Sequence, residues 1–455
     1  MPAVRHVAWG GRDFTRPGYT NDPPEPPEGR TYWQNWSGLQ RATPSDILFP
    51  GNEEELADIM KTAAAPVRPV GSGHSFTGLA PSRGLMVDVT GMYGLLNYDA
   101  ATGHAVFGAG THLTSASEAL ASHGRAFPNL PDVDVQTLAG SFATGTHGTG
   151  RTLTALHDYI EAFRLVTARG EVIDVTRSGN PELFEAGKVS LGALGIVTRI
   201  TVRTVEAFKL RRIVRVETIG DVLEKADELS RAHRHFEFYW FPHTGYAATI
   251  THDLHEGPAS GTRAGADDST LQELKTLRDE FGWWPWLRRK IIAGTIPKGV
   301  VEDVSDDSRK LLSTTRPTRF NEMEYHLPLE TGLAALREIM RRMETRRDVF
   351  FPVEVRFTAG DGAWLSPFQH GPRISIATHT AVDERYEYLF SDYEPVHLEH
   401  GGRPHWGKLH SLGRDRLEDL YPDYGRFLEL RRELDPEGKL LNPHLTKLFG
   451  IEYDA

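Results

Sequence analysis

The sequence predicts an α+β protein of more than one domain, with mixed strands and helices first and an antiparallel sheet flanked by helices after. Two observations carry this. A chain of 455 residues is too long for one core and implies about two or three domains. A strand–helix–strand pattern opens the chain, and from about residue 206 the pattern starts again and occurs twice.

The totals narrow the function. Hydrophobic residues make up 39% and charged residues 25%, as in soluble globular proteins. A net charge of −11 argues against a nucleic-acid partner, which needs a basic field. The absence of cysteine excludes disulfides, thiolate metal sites and cysteine nucleophiles, and no metal site is expected. Met1-Pro-Ala-Val-Arg-His6 lacks the apolar core of a signal peptide, and no run is long enough to span a membrane. The expected location is cytoplasmic.

Taken in order, residues 1–30 are rich in Pro, Gly and charge and read as a loose extension. Tyr32-Trp-Gln-Asn-Trp36 is expected to pack on the domain's own surface. Helical periodicity follows at 53–64 and a strand at 67–70. Further strands are expected at 84–90 and 105–108, and a helix at 113–124. Small residues crowd 139–150, which means close backbone approach to something. A hairpin at 160–175, a helix at 182–189 and a strand at 196–205 complete the first part. Strand, helix and strand then follow at 210–216, 219–232 and 236–241, and again at 320–326, 330–343 and 349–357. Between them, 256–318 interrupts with Gly, Ser, Asp and Trp283-Trp284-Pro285-Trp286, read first as a packed local lid, with a partner surface or a membrane-surface patch as the alternatives.

Three stretches carry chemistry. In Val67-Arg-Pro-Val-Gly-Ser-Gly-His-Ser-Phe76 a strand opens into two close glycines and an imidazole. Such a loop brings bare N–H groups against a ligand and suits a pyrophosphate. It is not the nicotinamide fingerprint, because a third glycine and a helix are missing. In Glu354-Val-Arg356, strand alternation puts carboxylate and guanidinium on one face. An exposed ion pair would be worth little, but Phe350, Phe351, Val353, Val355 and Phe357 mark a largely buried strand, so the pair should line a cavity. The third stretch, Pro404-His405-Trp406-Gly407-Lys408, gathers one aromatic among polar and cationic groups.

The glycine loop, Gly145-Thr-His-Gly-Thr-Gly150, Leu191-Gly-Ala-Leu-Gly-Ile196 and His405-Trp-Gly-Lys408 occur in that order. Together they resemble the vanillyl-alcohol-oxidase-type flavoproteins, specifically the aldonolactone oxidoreductases (gulonolactone and arabinonolactone oxidases) and their alditol-oxidase relatives. The resemblance runs from about Trp36 to about Gly450. It implies a two-lobed FAD-binding domain at 36–206 after an extension at 1–35. A substrate or cap domain then spans 207–415, with the insertion at about 256–318, and 416–455 returns to the FAD domain.

The same resemblance assigns FAD to Gly71, Ser72, Gly73, His74, Ser75, Pro131, Gly140, Thr144, Gly145, His147, Gly148, Gly195 and Ile196. It implies a covalent bond from the His74 imidazole to the flavin 8α carbon; in a cysteine-free chain no second bond is available. Glu354 and Arg356 would touch substrate hydroxyls, with Asp132 and Thr380 as further substrate contacts and His379 pointing elsewhere. Lys408 would stabilise negative charge on the reduced flavin. The hydroxyl proton is left open among His405, Glu354 and Lys408. Proline at 131, where relatives with alanine use oxygen poorly, implies an oxidase, and Asp132 departs from the serine of several relatives. The implied reaction is oxidation of a sugar-derived alcohol, above all an aldono-1,4-lactone, with hydride passing to flavin N5 and O2 becoming H2O2. The alternatives are an alditol oxidase, a lactone dehydrogenase using another acceptor, and a catalytically silent binding module.

Overall fold

The computed structural model describes residues 31–64, 66–261, 269–281, 284–314 and 318–452. The extension expected at 1–30 lies outside them, as does Trp283.

Helix α1 (Glu53–Thr62) starts where the Asn52 side chain accepts from Glu55 N–H, and three glutamates in its first turn suit the helix dipole. Strands β1 (Asp46–Leu48), β2 (Val67–Val70) and β3 (Leu85–Asp88) form a parallel sheet in the order β1-β3-β2. A second, antiparallel sheet holds β4 (Leu95–Asp99), β5 (His104–Gly108), β6 (Ile160–Val166), β7 (Val172–Thr176) and β8 (Ile196–Arg203), in the order β7-β6-β8-β5-β4. Helices α2 (Leu113–Ser122) and α3 (Leu138–Ala143) precede β6.

One buried cation ties these pieces together. Arg68, on β2, donates to the carbonyls of Leu79, Leu191, Gly192 and Leu440 at 2.6–2.9 Å. Burial pushes its pKa down to about 9, against the pull of Asp435. Asn442 donates to Gly78 O and Pro81 O, both at 2.8 Å. The end of the described chain is thereby anchored under the glycine loop.

Apart from two short two-stranded pairs, Trp33–Gln34 with Arg41–Ala42 and Arg125–Ala126 with Val205–Glu206, the remaining strands make an eight-stranded antiparallel sheet among the described residues. In chain order these are β9 (Lys209–Thr218), β10 (His235–Trp240), β11 (Tyr246–Leu254), β12 (Gly299–Asp307), β13 (Phe320–Pro328), β14 (Val353–Thr358), β15 (Arg373–Ala381) and β16 (Arg403–Pro404). Across the sheet the order is β12-β9-β11-β10-β14-β15-β13-β16. Helix α4 (Ile219–Ala232) joins β9 to β10, and the α-helix Leu329–Thr345 joins β13 to β14.

Alternation divides the sheet. Phe236, Phe238, Trp240, Val353, Val355, Phe357, Ile374, Ile376, Met323 and Tyr325 share one core with Val222 and Ala226 of α4 and with Leu336 and Ile339. At Gly332 a Cβ would meet Ile374 at 2.8 Å, so glycine sets the close approach of helix to sheet. The opposite face is polar, with Glu237, Tyr239, Glu322, Glu324, Glu354, Arg356 and His379.

The interruption at 256–318 is more than a lid. Its tail is β12, which pairs with β9 as the sheet's edge. Two helices precede it, Ser269–Phe281 and Pro285–Thr295. In the first, Leu271, Leu274 and Leu277 pack with Phe241, Phe350 and Phe351. Arg278 donates to both oxygens of Glu384 at 2.8 Å. Trp284 and Trp286 stay 55% and 65% exposed. No helix among the described residues is long and apolar enough to cross a membrane.

Candidate active site

A cavity of about 630 Å³ lies between the glycine loop and the polar face of the eight-stranded sheet. Gly71, Ser72, Gly73, His74 and Ser75 line one wall. A Cβ on Gly71 would stand 2.2 Å from Thr137 Oγ1, and Gly73 has φ +67°, so both positions need glycine. Ser72 Oγ donates to Val135 O at 2.6 Å. The His74 ring stacks on Trp36 with centroids 5.2 Å apart. Burial, helped by Lys408 and His112, lowers the His74 pKa to about 4, so its imidazole is neutral at neutral pH. Trp33 and Trp36 line the cavity, where the sequence suggested ordinary surface packing.

Pro131, Asp132, Gly140, Thr144, His147, Gly195 and Ile196 also line the cavity. Gly145 and Gly148 do not. A Cβ on Gly145 would meet Pro367 at 3.2 Å, and one on Gly148 would meet Leu130 O at 2.3 Å. These two glycines serve chain packing; Gly148 lets the strand of small residues pass the Asn129–Leu130 backbone.

The opposite wall is an ionic network. Tyr239 Oη donates to Glu354 Oε1 at 2.6 Å. Arg356 Nη2 pairs with the same oxygen, and Arg356 Nε donates to Glu237 Oε2 at 3.0 Å. Asp132 Oδ2 lies 3.9 Å from Arg356 Nη2. Burial alone would lower the Arg356 pKa, but Glu354 and Glu237 hold it well above its usual range. Burial and the same two carboxylates raise the Tyr239 phenol, which therefore stays a donor.

Lys408 Nζ pairs with Glu322 Oε2 and sits 5.0 Å from the centroid of the Phe76 ring. His379 Nε2 is 3.7 Å from Glu322 Oε1. The structure places His379 in the cavity wall and turns Thr380 away, its hydroxyl donating to Arg385 O at 3.3 Å. This reverses the expected orientation, because pairing of Glu354 with Ala377 sets the phase of β15. His405 Nδ1 accepts from Gly407 N–H at 3.0 Å, and burial lowers the His405 pKa to about 3. The same segment braces the glycine loop: Phe76 N–H donates to Gly407 O at 2.7 Å and Thr77 Oγ1 to Trp406 O at 2.9 Å.

Sequence reasoning missed Glu237, Tyr239, Glu322 and Glu324. The signal was there in Phe320-Asn-Glu-Met-Glu-Tyr-His326, where acids alternate with Met323 and Tyr325 as they would on a two-faced strand.

The residues present fit FAD. The glycine cradle supplies close backbone approach, His74 presents a neutral imidazole, and Gln136 Oε1, buried at the cavity wall, lacks a hydrogen-bond partner. A family model described as FAD binding domain matches residues 44–176. Cholesterol oxidase from Brevibacterium sterolicum has the same fold, with TM-score 0.73, 15% identity, and 94% of this chain and 99% of that one covered. The fold and cavity thus define an FAD-dependent oxidoreductase of the vanillyl-alcohol-oxidase type.

A second model, described as D-arabinono-1,4-lactone oxidase, matches residues 200–448, and the chain belongs to that family. It is 35% identical over 426 residues to L-gulono-1,4-lactone dehydrogenase of Mycobacterium tuberculosis, covering 92% of this chain and 99% of that protein. It is 30% identical over 433 residues to L-gulonolactone oxidase of Bos taurus, covering 92% and 98%. Alditol oxidase of a Streptomyces species is 28% identical, covering 91% and 98%.

Proposed function

We propose that this protein oxidises a secondary alcohol of an aldono-1,4-lactone, of the gulono, galactono or arabinono type, using FAD and passing the electrons to O2. The observation that carries the reading is the Tyr239–Glu354–Arg356 network facing the glycine loop across one cavity, with the Lys408–Glu322 pair beside it. A neutral polyhydroxylated ring needs such closely spaced donors and acceptors. The names of the relatives at 35% and 30% identity support a lactone.

Oxidation removes a hydride from carbon and a proton from the hydroxyl; FAD, held by the glycine loop, would supply the hydride acceptor. Arg356 and Lys408 orient and polarise the hydroxyl as charge develops on its oxygen. His405 spends its Nδ1 lone pair on Gly407 N–H, which leaves Nε2 a donor. Lys408 is a cation committed to Glu322. Glu354 therefore takes the hydroxyl proton in this reading.

Two finer points belong to the proposal. His74, neutral and in the cavity wall, is the anchor for a covalent FAD bond; acid precipitation should leave a yellow pellet, and His74→Ala should release the colour. O2 as acceptor rests on Pro131. A dehydrogenase reading is favoured by the name of the relative at 35% identity. A steady-state panel of lactones against open-chain alditols, each with O2 or a dye, tests substrate and acceptor together. Lactones should exceed alditols in kcat/KM by about tenfold or more. The reverse order makes the protein an alditol oxidase.

A further inference from the structure

His147, Glu324 and His326 direct three ligand atoms at one buried spot beside the substrate network. These atoms all lie within 4.8 Å of one another, and the three residues are at most 4% exposed. His147 comes from the small-residue segment after α3. Glu324 and His326 sit two apart on β13 and so share a face.

Each imidazole has its other nitrogen committed. His147 Nδ1 donates to Gly148 O at 2.8 Å. His326 Nδ1 lies 2.7 Å from the Ser375 hydroxyl. Such outer bonds fix the tautomer of metal-binding histidines and aim the Nε2 lone pair at the ion. The His147 and His326 rings meet edge to face with centroids 4.9 Å apart, and the Phe368 ring closes over both, at 5.0 and 4.5 Å.

The hydrogen-bond count then poses a question. With Nδ1 donating, His147 Nε2 presents a lone pair to Glu324 Oε1 at 2.9 Å, so two acceptors face each other. Only a shared cation joins them. A proton satisfies those two atoms but leaves His326 Nε2, which is buried and has no hydrogen-bond partner among the described residues. His326 is not among the residues that line the cavity. A metal ion satisfies all three atoms at once.

We propose that His147, Glu324 and His326 bind one divalent ion of the zinc class. Two imidazoles and one carboxylate suit zinc, cobalt or nickel better than magnesium or calcium, which prefer oxygen alone. The ion pins the small-residue segment beside the flavin cavity to the eight-stranded sheet. Its role is structural, and no step of the oxidation passes through it.

The test is metal analysis of untagged protein purified without chelator, with FAD content measured in parallel. About one zinc-class ion per chain is expected. A strong chelator should remove it and lower the Tm, and zinc should restore the Tm. Glu324→Gln and His326→Phe should lose the ion, while Lys408→Met, in the substrate wall, should keep it. Wild-type protein holding less than about a tenth of an ion per chain, both as purified and after incubation with zinc, cobalt and nickel, overturns the proposal. That result stands whether or not the variants fold.

Discussion

Tyr239 Oη donates to Glu354 Oε1 at 2.6 Å, and Arg356 Nη2 pairs with that same oxygen. The two contacts meet on one carboxylate oxygen and orient Glu354. Tyr239→Phe removes one of the two restraints. A lost hydrogen bond to a buried charged group costs about 1–3 kcal/mol, or roughly 5- to 150-fold in rate. Stopped-flow reduction of the flavin by lactone should slow by that factor, with Tm lowered by a few degrees at most. A rate equal to wild type makes Tyr239 a packing residue.

Lys408 and Arg356 should separate. Lys408→Met keeps the stem over Phe76 and loses the charge, so flavin reduction should fall by about two to three orders of magnitude. Arg356→Ala strands Glu354 and Glu237 without their cation, and breaking a buried pair costs about 3–5 kcal/mol. It should therefore lower Tm as well as rate. Thermal melts and single-turnover kinetics on both variants decide this, and an Arg356→Ala protein as stable as wild type contradicts the network.

Pro131 lies in the cavity wall on a loop held from the cap side. Pro131 O accepts from Ser313 Oγ at 2.6 Å, and Asp132 O accepts from Thr314 N–H at 2.7 Å. Proline fixes φ and removes a donor, and in the proposed reading this stiffened loop is what leaves oxygen a passage. Pro131→Ala should slow reoxidation by O2 while sparing reduction by substrate. Slow reoxidation already in the wild type, with fast turnover on a dye, moves the protein to the dehydrogenases.

Buried neutral histidines set an acid limit. Burial lowers His235, His397 and His410 from 6.5 to about 3, and His444 to about 4. Below pH 6.5 the unfolded chain takes up these protons first, so stability falls as pH falls from 6.5 toward the folded values. Between pH 6.5 and about 5 each such group costs about 2 kcal/mol. Carboxylates with lowered pKa values act only further down. Tm should drop by several degrees across that window, and a flat profile means that these imidazoles are hydrated or paired.

What the sequence revealed was local. The loop at Gly71 and Gly73 was legible because the turn and the close approach to Thr137 admit little but glycine. Glu354 and Arg356 were legible from alternation within one strand. His379 and Thr380 were not, because their phase is set by pairing with β14 rather than by their neighbours in sequence. Glu322 and Glu324 alternate as acids do on a half-solvated strand, and only the place of β13 inside the sheet buries them. The edge strand β12 joins β9 across some ninety residues, as the Arg211–Asp303 contact shows, and nothing near 299–307 announces that partner.

The most direct test of the account is anaerobic titration of the purified protein with an aldono-1,4-lactone, followed in the visible spectrum. The account predicts a yellow protein that bleaches with one lactone per flavin and regains its colour when oxygen is admitted. A yellow protein that lactones leave unchanged, while an open-chain alditol bleaches it, contradicts the substrate. A colourless protein that takes up no FAD contradicts the site.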